Sequence, residues 1–343
     1  MFRSQLIWQG EPEGEYVRHR IPGMIVTDKG TVIIYNEARR GNSDWAPMDI
    51  FAQRSTDHGE TFGERIYLAH SSEEHNTVNN PVMMQDKNGR IHFLYCEDYG
   101  INGGRVLRRY SDDDGLTWSD VVDISAGTLP HYRNVFAMGP GHGICTRDGV
   151  LIVPVWMVPK FYESFIKDHG PSVISTLYSK DNGETWQCGE ILPVTSDIIN
   201  PNETVAAELS DGRIYLGIRC NCKYRAMAIS HTGYSDWTNY VPDKRLHDPI
   251  CFGSVASYNH EGDPYTLLLV NCECKNARRN IVVKGSTDSS VNWQLRRVID
   301  AERGGYADIA ADNEAGLIYV LYEDKAGETD TLAVFDYEWL SEK

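Results

Sequence analysis

Six times along the chain an apolar run enters a short polar turn carrying glycine and leaves it as a second apolar run. The segments read MIVTDKGTVIIY, VMMQDKNGRIHFLY, GICTRDGVLIVPV, AAELSDGRIYLGI, SYNHEGDPYTLLLV and DIAADNEAGLIYVLY. Each predicts two antiparallel strands joined by a tight turn, with glycine supplying the positive φ that such turns need. The turn glycines, Gly30, Gly89, Gly149, Gly212, Gly262 and Gly316, recur at intervals of 50 to 63 residues. Helical periodicity is scarce, apart from a short turn expected around 160–167.

A polar phrase falls between these hairpins. It reads STDHGETF from position 55, SDDDGLTW from 111 and SKDNGETW from 179, with looser copies SHTGYSDW from 230 and STDSSVNW from 286. Its Asp can accept hydrogen bonds from nearby backbone N–H groups, its Gly turns the chain, and its aromatic packs on the sheet. None of this requires a substrate, so the phrase reads as structural. Six units of this period, each with two hairpins, predict an all-β fold. The expected architecture is a six-bladed β-propeller of four-stranded antiparallel blades, forming one domain over residues 1–343. Two stacked sandwiches are the competing arrangement, which the even period disfavours.

Strand direction then sorts residues by rim. If strand A runs into the glycine turn and B leaves it, the polar phrase joins C to D on the same rim as that turn. The starts of A, the ends of B and the B–C loops lie on the opposite rim. There the chain places Arg20 (HRIPGM), Glu37 and Arg39 (YNEARR), Asp44 (GNSDWAPM), Glu203 (NETVAAEL), Arg219 (YLGIRCN), Arg278 (NARRNIVV) and Tyr306 (GGYADIA). Several guanidiniums converging on one point form a clamp for a carboxylate. A Tyr beside a Glu supplies a nucleophile and its base, and an Asp in a separate loop supplies a general acid. A neutral phenol suits an anionic reacting centre better than a carboxylate nucleophile, and such tyrosines are the known exception among glycosidases.

Composition narrows the picture further. The chain has 343 residues, 41% hydrophobic, and a formal charge of −16, which disfavours a nucleic-acid partner and otherwise serves solubility. No apolar stretch approaches the ~18 residues of a membrane span. The opening MFRSQLIWQGEPEG lacks the apolar core of a signal peptide, so the chain as written is expected in the cytoplasm, or outside the cell if a leader was trimmed. Cysteines recur as two Cys-x-Cys pairs, Cys220/Cys222 and Cys272/Cys274. A four-thiolate metal site is one reading, but zinc knuckles use wider spacings. Reduced, part-buried thiols in strands are expected instead, with no metal and no cofactor.

RIP at 20–22, the repeated Asp-box phrase, GPGHGI at 139–144 and the ordered Glu, Arg and Tyr contexts together resemble the sialidase (neuraminidase) family, whose Asp boxes are also called BNR repeats. The resemblance covers about residues 16–325. It implies an exo-α-sialidase, a retaining glycoside hydrolase acting on terminal α-linked sialic acid of a glycan through a tyrosyl intermediate, with no metal. By that resemblance Arg20, Arg219 and Arg278 grip the sugar carboxylate, Glu37 holds the first arginine, and Arg39 is an auxiliary contact. Asp44 becomes the acid/base, Tyr306 the nucleophile and Glu203 its base.

Some alternatives stay open in the sequence. Asp49 rivals Asp44, and Arg279 rivals Arg278. Asp308 either orients Tyr306 or caps a strand. Asn80 and Asp98 are further candidates for lining the pocket, while His19, His131 and His142 are expected to make hydrogen bonds in loops. A hydrolase of another 2-keto-3-deoxy acid (Kdn or Kdo) and a non-catalytic sialic-acid-binding propeller are the competing functions. Linkage preference and oligomeric state are not encoded in these motifs.

Overall fold

In the computed structural model, residues 1–72, 77–98, 104–128, 133–159, 170–193, 195–324 and 328–342 are described. They form antiparallel sheets arranged as the six blades of a β-propeller. Blade one shows the plan: Arg18–Val26, Val32–Arg39, Met48–Ser55 and Ile66–His70 pair in sequence order. Blade four repeats it with Thr204–Glu208, Ile214–Ile218, Tyr224–Ser230 and Val241–His247. All six predicted turn glycines have positive φ, between 70° and 92°. The inner strands are buried along their length, as in Val32–Arg39, because each blade packs on a neighbour across both faces. That is why they read as apolar runs and not as alternating ones.

Three features depart from a simple series of four-stranded units. First, blades five and six share one strand, Leu295–Asp312, which pairs with Arg279–Ser286 through its first half and with Leu317–Asp324 through its second. Second, the outermost strand of blade six is N-terminal: Phe2–Gln9 pairs with Thr329–Asp336. Trp8 of that strand packs edge-on against Phe51 of blade one with ring centroids 5.6 Å apart, so the chain's two ends close the ring. Burying one such aromatic contributes about 3 kcal/mol. Third, the inner strand of blade three is interrupted. Between Arg133–Met138 and Ile144–Cys145, the pair Gly141–His142 leaves to run parallel to Val82 and Met83 of blade two. This detour carries His142 to the propeller axis.

The Asp-box phrase is a joint between blades. In the first copy Thr61 N and Oγ1 donate to the two oxygens of Asp57 at 3.0 and 2.6 Å, and Gly59 N donates to Ser55 Oγ at 2.8 Å. In the second copy, hydrogen bonds from Thr117 hold the Asp113 carboxyl down to about 2. The glycine of each box lies against the blade before it. A Cβ on Gly115 would sit 2.8 Å from Ile33 of blade one, and one on Gly183 would sit 2.4 Å from His92 of blade two. The degraded copy at 286 keeps the geometry with Asn292 in place of Thr and Ser290, φ +71°, in place of Gly. Blade six has no copy, since its outermost strand is supplied by the N-terminus.

Two expectations need correction or limits. Cys220 and Cys222 are joined as a disulfide and are not free thiols in a strand. The segment after Arg219 is a turn, with Lys223 at φ +65°, and it brings the two Cα atoms to 5.6 Å. Cys251 and Cys272 are buried thiols. A short helix, Tyr337–Ser341, was not foreseen; it is capped by Asp336, which accepts from Trp339 N at 2.9 Å. The turn expected at 160–167 lies outside the described residues.

Candidate active site

At the level of the site the inner strands do not run smoothly. Register shifts occur between Arg20 and Gly23, between Asn79 and Val82, and between Gly304 and Ala307. Two of these bulges contain a proline. Pro22 and Pro81 have no N–H for the ladder, and the residues before them, Ile21 and Asn80, take φ of 58° and 53°. A bulge re-aims side chains that a regular strand would turn elsewhere. Here the three bulges direct Arg20, Asn80 and Tyr306 into one cavity of about 200 Å³. Glu37, Arg39, Asp44, Glu203, Arg219 and Arg278 also line it, so the residues that strand direction assigns to this rim are brought together.

Tyr306 stands at the centre. Its hydroxyl donates to Glu203 Oε1 at 2.5 Å and accepts from Arg219 Nη1 at 2.8 Å, and Arg219 also pairs with Glu203. The guanidinium carbons of Arg20, Arg278 and Arg219 lie 5.3, 5.4 and 5.9 Å from the Tyr306 ring centroid. Burial raises the phenol well above its ordinary pKa, against the lowering pull of Arg219. The hydroxyl therefore keeps its proton until a base removes it, and Glu203 is in hydrogen-bond reach to do so.

Glu323 was not singled out from the sequence. Its Oε1 accepts from Arg20 Nε at 2.6 Å and Ile21 N at 3.0 Å, while Oε2 accepts from Tyr306 N at 3.0 Å. The role assigned to Glu37 by resemblance is thereby corrected: the carboxylate holding Arg20 is Glu323. Glu37 is Arg20's cross-strand neighbour in the ladder. Its side chain instead accepts from Arg39 Nε and Nη2 at 3.0 and 2.6 Å and from Asn80 N at 2.8 Å. Burial raises the Glu37 carboxyl despite the opposing pull of Arg39. Glu323 ends a second strand of its blade, as Glu37 does in blade one, so strand position was the available signal. Trp156, Asn79 and Asn202 also line the pocket and carried no such signal.

The rival residues separate. Asp44 pairs with Arg39 at the pocket wall and is 56% exposed. Asp49 is only 3% exposed and points elsewhere, accepting from Tyr16 Oη at 2.5 Å and from Arg40 Nη2 at 2.6 Å. Burial would raise its carboxyl, but the hydrogen bonds from Arg40 and Tyr16 outweigh that and hold it below the ordinary value. Both arginines are exposed, but Arg278 lines the cavity and Arg279 sits in the ladder opposite the following strand.

Asp308 neither orients the Tyr306 side chain nor caps a strand. It sits below the pocket on the axis, accepting from His142 Nδ1 at 2.8 Å, Ser254 Oγ at 2.6 Å and Met24 N at 2.9 Å. Asn80 lines the pocket and donates to Met138 O at 3.0 Å. Asp98 is not part of the pocket wall and accepts from Thr77 N at 3.5 Å. His19 is buried with Trp8 and Phe51, and His131 lies outside the described residues.

A larger cavity of about 500 Å³ opens on the opposite rim. Of its charged groups, Arg147 pairs with Glu208 at 2.8 Å and Asp86 faces His92 at 3.0 Å. Size alone does not mark the chemistry; convergent polar groups do.

A family model described as "BNR repeat-like domain" matches residues 63–320. A sialidase of Clostridium perfringens is 30% identical over 65% of this chain and 61% of its own length. A Hadza microbial sialidase superposes with a TM-score of 0.84 at 24% identity, over 95% of this chain and 67% of that one. The intramolecular trans-sialidase from Ruminococcus gnavus, solved with oseltamivir carboxylate, gives a TM-score of 0.80 at 18% identity, over 99% and 98% of the two chains. The chain spans about three-fifths of the length of the curated sialidases of Clostridium perfringens, Paraclostridium sordellii and Bacteroides fragilis that it matches.

Proposed function

From the premise that this chain belongs to the BNR-repeat sialidase family, we propose that it is a retaining exo-α-sialidase acting on sialylated glycans. The observation that carries this reading is the Tyr306–Glu203 hydrogen bond set inside a ring of three arginines. Arg20, Arg219 and Arg278 take the carboxylate of the terminal sugar and fix its anomeric carbon over the Tyr306 hydroxyl. Glu203 removes the phenolic proton as Oη attacks that carbon. Asp44, on its accessible loop, protonates the departing glycosidic oxygen. A tyrosyl–sugar bond results, and the aglycone leaves.

The second half reverses these roles. Asp44, now a carboxylate, takes a proton from water as the water attacks the anomeric carbon. The C–O bond to Tyr306 breaks, and Glu203 returns its proton to the phenolate. Two inversions give net retention. The developing phenolate is stabilised by Arg219 Nη1, already 2.8 Å from Oη.

Product analysis by NMR on an α2,3- and α2,6-sialyllactose pair tests the reading, with Tyr306→Phe as control. The α-anomer of free sialic acid should appear first from wild type. Initial release of the β-anomer, or an unchanged rate in Tyr306→Phe, would refute it. Parallel assays with matched Neu5Ac and Kdn arylglycosides decide which 2-keto-3-deoxy acid the pocket prefers.

A further inference from the structure

Arg278 is held differently from the two arginines that share its pocket, and we propose that Asp248 and Arg225 clamp the backbone at Ile250 as a positioning device for it. The proposal rests on the reading above, in which Arg278 helps to bind the substrate carboxylate. Arg20 is oriented by Glu323 and Arg219 by Glu203. Among the described residues, Arg278 has no carboxylate partner. Among the described residues its guanidinium makes one hydrogen bond, Nη2 donating to the Ile250 carbonyl at 3.2 Å. The position of that carbonyl therefore sets the aim of the guanidinium. A carbonyl carries no net charge, so Arg278 meets an incoming anion without the direct carboxylate contact that Glu323 makes with Arg20 and Glu203 with Arg219.

The carbonyl belongs to an unusual residue. Ile250 has φ of 66°, a left-handed conformation that is costly for a β-branched side chain and persists only where the surroundings impose it. The surroundings here are explicit. Cys251 N donates to Asp248 Oδ1 at 2.9 Å, closing the turn over Pro249 and Ile250. Arg225, 1% exposed, reaches in from blade four and donates Nη1 to Cys251 O at 3.0 Å. Its Nη2 donates to Gly217 O at 2.8 Å and to Gly253 O at 2.9 Å. Asn271 Nδ2 donates to His247 O at 2.8 Å and to Asp248 Oδ2 at 3.3 Å. Both sides of Ile250 are gripped, and its carbonyl is left to Arg278. Burying an arginine on backbone carbonyls is a costly way to gain stability alone, since apolar side chains of similar size do that as well.

Ile250→Gly accepts the same φ without strain but frees the peptide, so the variant folds while losing the imposed aim. Asp248→Asn keeps an acceptor for Cys251 N and removes the anion facing Arg225. Affinity for the 2,3-didehydro glycal of sialic acid is measured by calorimetry in each variant, in Arg278→Ala, and in both double variants, with thermal midpoints alongside. Each of the two single changes should weaken glycal binding roughly tenfold, the low end for a hydrogen bond to a charged group. That loss should disappear in the Arg278→Ala background, because the clamp acts only through Arg278. Unchanged affinity in Ile250→Gly, or a loss that persists in full without Arg278, overturns the clamp and leaves the pocket reading standing. An Arg278→Ala variant that binds the glycal as well as wild type overturns both.

Discussion

Tyr306 and Glu203 reach the pocket from different blades, and the phenol donates to the carboxylate at 2.5 Å while Arg219 bonds to both. Since burial raises the Tyr306 pKa, no alkaline limb of kcat should arise from its ionisation within the range where the protein stays folded. The phenol gives up its proton only during attack. Tyr306→Phe and Glu203→Gln should each lower kcat on sialyllactose by about 10²–10⁴, with thermal stability near wild type. Steady-state kinetics on purified variants checks this, and a loss confined to KM would argue for a binding role alone.

Asp44 and Asp49 should behave oppositely. Asp44→Ala should slow hydrolysis of sialyllactose, whose leaving sugar needs a proton, far more than hydrolysis of an activated aryl sialoside. Asp49→Ala removes the acceptor of Tyr16 and Arg40 and leaves both stranded, so it should cost about 2 kcal/mol or more of stability. The discriminating measurement is the ratio of rates on the two substrates, set beside a urea melt. A leaving-group effect at Asp49 instead of Asp44 would reverse the assignment.

Glu323 joins two parts of the site that the chain keeps some 300 residues apart, Arg20 and Tyr306. Glu323→Ala strands a guanidinium and two backbone N–H groups, and about 3 kcal/mol of stability should go with it. Glu323→Gln keeps the size and one acceptor. It should fold but bind the didehydro glycal more weakly, since Arg20 loses its charged anchor. Calorimetry on Glu323→Gln decides whether the residue positions Arg20 or only stabilises the fold.

Local chemistry was legible in the sequence and long-range pairing was not. The turn glycines and Asp boxes announce themselves through backbone conformations that few residues tolerate, and strand alternation then assigns Arg20, Glu203, Arg219 and Tyr306 to one rim. Nothing local says that Phe2–Gln9 pairs with Thr329–Asp336, or that Gly141–His142 leaves its own blade. Glu323 sits beside Asp324 in an ordinary-looking strand end, and only the folded structure shows which carboxylate faces Arg20. Glu37 received its role by resemblance, and although it neighbours Arg20 across the ladder, its side chain turns to Arg39 and Asn80. The disulfide at Cys220 and Cys222 escaped because the segment was expected to be extended.

The Asp boxes should prove structural under mutation. Gly183 has φ of 78°, and an added Cβ would lie 2.4 Å from the His92 ring of the preceding blade. Gly183→Ala combines backbone strain with overpacking, each worth about 1–3 kcal/mol. The melting midpoint should fall while kcat/KM of the folded fraction stays at the wild-type value. A selective drop in turnover at unchanged stability would give the phrase a functional role after all.

Two buried histidines make stability depend on pH with opposite signs. Burial, helped by Arg65, holds His19 down to about 4 in the folded protein, below its unfolded value. The unfolded chain thus binds the extra proton first, and stability falls as pH drops from about 6.5 toward 4. The loss is about 3 kcal/mol, from the shift to about 4. His142 is shifted upward: burial opposes the charge, but Asp308 at 2.8 Å outweighs it. Its contribution is complete below the unfolded pKa and disappears as pH rises through the folded one. Urea denaturation of wild type and His19→Gln between pH 4.5 and 7 separates the two. The variant should lose the His19 share of the acid sensitivity and keep both the alkaline decline and the share of buried His92, whose pKa burial also lowers. An acid slope undiminished by the substitution would place its origin elsewhere, at His92 or among the carboxylates.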